Sequence, residues 1–311
     1  MTDVHRLRVL RAVAEHGSFN RAAAALRLTP SAVSQHVAAL ERSLGAQVVV
    51  RSTRGVTLTR SGRIMVGAAE AVAAELEHAR REIDRIGTGR SRLTVATFTS
   101  GGRLLLPGAL AKLSAARPGV ELHVRECEPA DSLPLLRQGA VDLAVAYHFD
   151  GPLPGGAGRG VRWTPLLEDP LHLVLPQAHP LADRDALDLA ELADEAWVLG
   201  CLTTEAYLRR HAAQAGFELR LRGTTTDYFF ARSLVAAGVG VSLVPSVALT
   251  PEVEGVRTVP VRAPAPTRHI GVATLGRRQD HPETALLAEA LVEQASGALK
   301  TVAPVPGDRV G

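Results

Sequence analysis

The side chains best suited to chemistry in this chain recur on one short stretch. Ser31, Ser34 and Gln35, with Ala38 and Arg42, fall at helical spacing opposite Val33, Val37, Leu40 and Leu44. Hydroxyls and an amide among small residues allow close approach to a nucleic-acid groove. There glutamine pairs with an adenine edge, serines reach bases or phosphates, and Arg42 adds a cation at the far end. An ordinary amphipathic helix also carries a polar face of this kind. The surroundings separate the two readings: Pro30 opens the helix after Thr29, a short helix precedes it, and a hairpin bearing Arg51 and Arg54 follows.

A second group of candidates gathers where strands should give way to helices. Thr97, Thr99 and Ser100 follow one such strand, and Thr203 and Thr204 follow Gly200. Ligands of open α/β sheets sit beyond the carboxyl ends of strands, and amides that open a helix receive anions. These residues are therefore candidates for holding a small effector, with Tyr147, His148, Thr226 and Asp227 at other strand ends. Helix capping alone would also place hydroxyls there. Cys127 and Cys201 are the two cysteines. They cannot build a disulfide framework or a multi-cysteine zinc module. They read as isolated buried thiols, with a redox switch as the alternative.

Enzymatic constellations are missing from the sequence. Neither lysine, Lys112 nor Lys300, follows a glycine, so there is no Walker A loop, and no His-Glu-x-x-His or Gly-x-Ser-x-Gly occurs. Gly238-Val239-Gly240 lacks the third glycine of a dinucleotide loop, and the eleven histidines have no metal-ligand spacing. The expectation is a non-enzyme without cofactor, metal or catalytic residues.

The elements that must position these residues follow from pattern and charge. With 311 residues, 46% hydrophobic and 22% charged, the chain suits more than one folded domain and excludes wholesale disorder. Residues 1–62 hold nine arginines against three acids, a charge of +6, so the whole-chain +3 leaves −3 for the rest. A basic head on a mildly acidic body suits nucleic-acid binding, although 33 arginines against two lysines make arginine a chain-wide habit. No apolar run reaches the roughly 20 residues of a membrane span. Asp3, His5, Arg6, Arg8 and Arg11 stand where an export signal would be apolar, which points to the cytoplasm.

The head reads as helix, helix, turn, helix, hairpin, with Ser18 and Thr29 placed to cap the second and third helices. Residues 63–86 then form a long helix whose Ile64, Ala68, Val72, Leu76, Ala79, Ile83 and Ile86 build a coiled-coil seam, and Gly87-Thr88-Gly89 should end it. From Leu93 onward strands and helices alternate, the pattern of an α/β body with parallel strands. The Gly/Pro-rich run Gly151 to Gly160 interrupts it, and the tail 301–311 is expected to be flexible.

Gly17-Ser18-Phe19, the alanines 22–25 with Leu26, Ser31-Ala32-Val33-Ser34-Gln35-His36-Val37, Ala39-Leu40-Glu41, Leu44-Gly45, Arg51-Ser52-Thr53-Arg54, Leu58-Thr59 and Gly62 resemble the LysR-type transcriptional regulators in order and spacing. In the body, Leu175–Ala182 and Val235–Pro245 resemble the family's second-lobe signatures. The resemblance implies an α+β multidomain protein: a winged helix-turn-helix (1–62), a linker and dimerisation helix with hinge (63–89), and a two-lobed α/β effector domain (90–300) similar to type 2 periplasmic binding proteins. The lobes would be 90–165 with 269–300, and 166–268. By the same resemblance Pro30, Ser31, Ser34, Gln35, Arg51 and Arg54 contact DNA. Ile64, Ala68, Val72, Leu76 and Ile83 pair two copies. The implied partners are promoter half-sites of an imperfect palindrome, a small-molecule effector, and further copies in a homodimer or homotetramer. Two departures stand out: Gln35-His36 replaces the frequent Arg-Gln, and Val48-Val49-Val50-Arg51 replaces Leu-Phe-x-Arg. The remaining alternatives are a redox-sensing regulator using Cys127 and Cys201, and a small-molecule binding protein without regulatory DNA binding.

Overall fold

In the computed structural model, residues 3–52, 55–88, 91–149, 160–276 and 281–302 are described, apart from the side chains at 78, 81, 82, 84–86, 88 and 299–302. Arg54, the run 151–159 and residues 303–311 therefore lie outside the described residues, as does the Ile86 side chain. The chain divides into two compact units, Met1–Arg92 with Pro134–Ala140, and Leu93–Leu133 with Val141–Gly311.

The head is organised by its caps. Asp3 accepts the His5 N–H at 2.9 Å to open α1 (Val4–His16), and Gly17 closes it in the left-handed region at φ 60°. Ser18 stands at the N-cap of α2 (Phe19–Leu26), but its hydroxyl makes no capping bond, so the position alone matches expectation. Thr29 does cap α3 (Pro30–Leu44), accepting the Ala32 N–H at 3.2 Å, and Pro30 takes the first helical position, where no N–H is needed. Val33, Val37 and Leu40 are buried against Leu7, Leu10, Val13, Ala22 and Ala23. This inward stripe fixes which residues of α3 face out.

The wing is an antiparallel hairpin of β1 (Val49–Ser52) and β2 (Gly55–Leu58). Its anchor is Glu41 of α3, whose carboxylate accepts the N–H groups of Val48 at 2.9 Å and Val49 at 3.4 Å. Gly62 lets the next helix pass beneath, since a Cβ there would lie 1.9 Å from the Val48 carbonyl oxygen. Bonds to a charged acceptor contribute about 2 kcal/mol together with the cost of orphaned amides. We expect Glu41→Ala to lower head stability by that amount, read as an earlier transition in urea, with Glu41→Gln intermediate.

The linker helix α4 (Arg60–Thr88) has 29 residues and extends past both expected ends. It runs through Gly87, because one glycine costs only about 1 kcal/mol relative to alanine and cannot stop a long helix. Ile64, Leu76 and Ile83 are 62%, 58% and 68% exposed, so the apolar seam is uncovered within one chain.

The body contains, in order, β3 (Ser91–Thr97), α5 (Thr99–Ala116), β4 (Val120–Glu126), α6 (Pro129–Arg137), β5 (Leu143–His148), β6 (Val161–Pro176), β7 (Ala196–Leu199), α7 (Glu205–Gln214), β8 (Arg220–Thr224), α8 (Tyr228–Ala236), β9 (Ser242–Pro245), β10 (Val256–Pro260), β11 (Thr267–Leu275) and α9 (Pro282–Val302). One sheet runs β10-β6-β11-β5-β3-β4 with β9 also on β6, while β7 and β8 pair separately. Separate cores mark two lobes: Val95, Leu105, Leu113, Leu143, Val272 and Leu291 fill one, and Leu173, Leu175, Trp197, Leu199, Leu208 and Leu243 fill the other.

The expected parallel arrangement holds for β3 with β5 and for β7 with β8, but β6 pairs antiparallel with β9, β10 and β11. Sequence reading recovered only Leu171–Leu175 of the 16-residue β6, because Pro165, Glu168, Asp169 and Pro170 break the apolar pattern. A register shift at Ile270/Gly271 accommodates the strand opposite Pro165. The closing helix α9 reaches Val302, so the first two residues of the expected tail are helical.

Candidate DNA interface and effector cleft

On the head, Pro30, Ser31 and Gln35 are exposed and Ser34 is partly so, all on the face of α3 that the buried stripe leaves outward. Arg51, seventeen residues beyond Ser34, folds back from the wing onto that face. Its Nη2 donates to Ser34 Oγ at 2.8 Å, and its guanidinium lies 4.0 Å from the centre of the Phe19 ring. The contact joins α2, α3 and the wing into one polar surface. It also holds a guanidinium, a strong phosphate ligand, beside the hydroxyl that would read a base or backbone. Arg42 is exposed near the end of the same helix.

The body carries a cleft of about 270 Å³, including its open mouth, lined by Phe98, Thr99, Ser100, Glu128, Tyr147, Cys201, Thr226, Asp227, Tyr228 and Arg268. Strand ends supply most of these groups, as the α/β geometry requires. Gly200 permits the Tyr228 ring to form a wall, since a Cβ at that position would meet the ring at 2.3 Å. In the same wall Arg268 forms a fully buried pair with Asp169 behind it, Nε to Oδ2 2.7 Å, with side chains 1% and 0% exposed. Arg268 also donates to Ser100 Oγ at 2.8 Å, and Asp169 accepts the Val247 N–H at 3.1 Å. Burial alone would lower the Arg268 pKa; the Asp169 carboxylate reverses this and keeps the guanidinium charged. Phe98 and Tyr147 lie within 5.0 Å and 4.8 Å of its carbon, completing a cation–aromatic cluster.

Of the seven residues expected to hold an effector, Thr99, Ser100, Tyr147 and Thr226 line the cleft. Thr203 joins it through its hydroxyl, 3.0 Å from both Tyr147 Oη and Cys201 Sγ. Thr97 and Thr204 do not: both are buried, and their hydroxyls bond the carbonyls of Phe98 and Cys201. Thr99 is drawn to Glu126, donating at 2.8 Å. His148 lies instead against Trp163 and His269. Asp227 is in the wall, where one oxygen caps α8 through the Phe229 N–H at 3.0 Å.

Cys201 is 6% exposed in this cleft, and Cys127, partly exposed, follows β4 with its N–H on the Thr97 carbonyl at 2.9 Å. Burial raises the Cys127 thiol pKa, with Arg125 opposing. Burial, then the neighbouring Cys201 and Glu128, holds the Tyr147 hydroxyl far above its ordinary range, so it remains a donor. Glu128 and Arg268 were missed from sequence. An isolated charge in a strand or loop carries no signal that it points inward.

Comparison with known proteins covers both units. Residues 4–63 match the family described as bacterial regulatory helix-turn-helix protein, lysR family, and residues 87–296 match the LysR substrate binding domain. A probable hydrogen peroxide-inducible genes activator of Mycobacterium avium is 33% identical over 300 residues, covering 92% of this chain and 93% of its own. A cysteine variant of OxyR from Corynebacterium glutamicum with hydrogen peroxide bound is 25% identical with a TM-score of 0.54, covering 97% of this chain and 98% of its own. Full-length CbnR in complex with its target DNA shares the fold at a TM-score of 0.53 and 21% identity, covering 94% of this chain and 100% of its own.

Proposed function

This chain belongs to the LysR family of DNA-binding transcriptional regulators, and from that premise we propose that it is a homo-oligomeric regulator, not an enzyme, acting in the cytoplasm under control of a small molecule bound between the lobes of its body. The outward face of α3, with Arg51 docked on Ser34, carries the reading. Pro30, Ser31, Ser34, Gln35 and Arg51 contact DNA, and Arg54 extends the wing contact. Two α4 helices pair through Ile64, Ala68, Val72, Leu76 and Ile83, presenting two heads to the half-sites of an imperfect palindrome, with a tetramer formed from two such dimers. No helix among the described residues is long and apolar enough to cross a membrane.

In the cleft, Thr99, Ser100, Tyr147, Thr203 and Thr226 supply hydroxyls to the effector, while Thr97 and Thr204 hold the backbone behind them. Effector binding shifts the population between two lobe arrangements with different DNA affinity. Full-length protein is expected to retard a DNA fragment selected from a random pool, and retention should fall steeply between two salt concentrations as phosphate contacts are screened. Ligand binding without any specific retardation would overturn the regulator and favour a binding protein.

A second reading is favoured by the placement of Cys201 in the cleft, its sulfur 3.0 Å from Thr203 Oγ1, and by relatives named for peroxide induction. In it, peroxide transfers one oxygen to the Cys201 sulfur, giving a sulfenic acid and water. Peroxide treatment before the same gel shift separates the readings, since only the redox form responds and Cys201→Ser abolishes that response.

A further inference from the structure

Glu128 stands at the mouth of the cleft, between β4 and α6, and its carboxylate is held by donors from both lobes. Tyr147, at the end of β5, donates to Oε2 at 2.6 Å, and Thr203, beyond β7, donates to the same oxygen at 3.3 Å. Cys201 turns its thiol towards Oε1 at 3.9 Å. The same donors also contact each other, with Thr203 Oγ1 3.0 Å from Tyr147 Oη and from Cys201 Sγ. The cation in the wall, Arg268, is already matched by Asp169. Glu128 is thus held by uncharged donors converging from two lobes, the arrangement that would hold a small carboxylate guest.

We infer that Glu128 is a built-in carboxylate ligand that closes the cleft, and that the subsite it fills is a carboxylate site. The inference rests on reading the cleft as the effector site. The side chain is half-buried, so it can leave without unfolding its surroundings. A tethered group competes at an effective concentration in the millimolar range, so an outside carboxylate meets a standing competitor in the unmodified chain. Without Glu128, three donors are left facing an empty volume the size of the lost carboxymethyl group, which acetate matches.

The test uses full-length protein with Cys127→Ser, so that iodoacetamide labelling reports on Cys201, which is 6% exposed. Glu128→Ala is expected to label about tenfold faster, and tens of millimolar sodium acetate should restore the original rate, as a bound ligand restores closure. Sodium chloride at equal ionic strength should not, and the chain with Glu128 intact should ignore acetate. The inference is overturned if Glu128→Ala leaves Cys201 as protected as before, or if acetate acts equally on both proteins or on neither. Should Glu128→Ala fail to fold, Tyr147→Phe with Thr203→Val tests the same contact from the donor side. Cys201 should again label faster, now without any response to acetate, and unchanged labelling overturns the inference. Gel shifts on the same samples separate it from its premise. Acetate bound to Glu128→Ala without any change in DNA affinity removes the effector reading and leaves the built-in ligand standing.

Discussion

Arg268→Ala is expected to lower the unfolding free energy of the body by about 3–5 kcal/mol, because it strands the Asp169 carboxylate without a counter-charge. Both side chains are essentially inaccessible, so bulk water does not screen the pair in the intact protein. Ser100 loses its Arg268 donor, and the Phe98, Tyr147 and Tyr228 rings lose the cation they surround. Asp169→Ala should cost a similar amount by stranding the guanidinium. The double variant Arg268→Met with Asp169→Leu should recover much of the loss, since it leaves no unpaired buried charge. Urea denaturation of full-length variants measures all three. A loss below about 1 kcal/mol for Arg268→Ala, the scale of an exposed ion pair, would contradict the burial of the pair.

The second large effect concerns DNA. Ser34→Ala combined with Arg51→Ala is expected to weaken specific binding about 100-fold, through loss of a groove contact and of a phosphate contact. Nonspecific binding should weaken less, and the salt slope should fall by about one, reflecting one phosphate contact fewer. The two residues share a hydrogen bond at 2.8 Å, so their effects should not add. Arg51→Lys separates charge from shape: lysine keeps the cation but loses the planar fork and the face it lays on Phe19. Fluorescence anisotropy on a selected site and on scrambled DNA gives both affinities. Equal losses on the two DNAs would mean that this face supplies only charge.

The head was legible because its information is local. A 3.6-residue period, the Thr29 cap, Pro30 and the two left-handed glycines, Gly17 and Gly45, all act within a few residues. The outward set on α3 followed from the inward one. The body was legible to the level of lobes and strand ends, which located Ser100, Tyr147 and Thr203. The sign of each local twist was not, so Thr97 and Thr204, one residue from productive positions, turn their hydroxyls to backbone. Hidden most completely were the charges that face inward. Asp169, Arg268 and Glu128 look like surface residues in sequence, and only contacts spanning 19 to 168 residues place them around the cleft. Glu168 and Asp169, with Pro165 and Pro170, concealed the first half of β6.

That strand has a mechanical consequence. β6 enters the sheet of one lobe at Val161 and leaves the other at Pro176, so the lobes share a continuous covalent strand. Asp169 sits part-way along it, with Arg268 beside it on β11. Displacing one lobe against the other therefore winds a strand about its own axis, and a clamped ion pair resists the winding. Relative motion of the lobes is thus expected to be a short, stiff twist of this strand, not the swing of a free hinge.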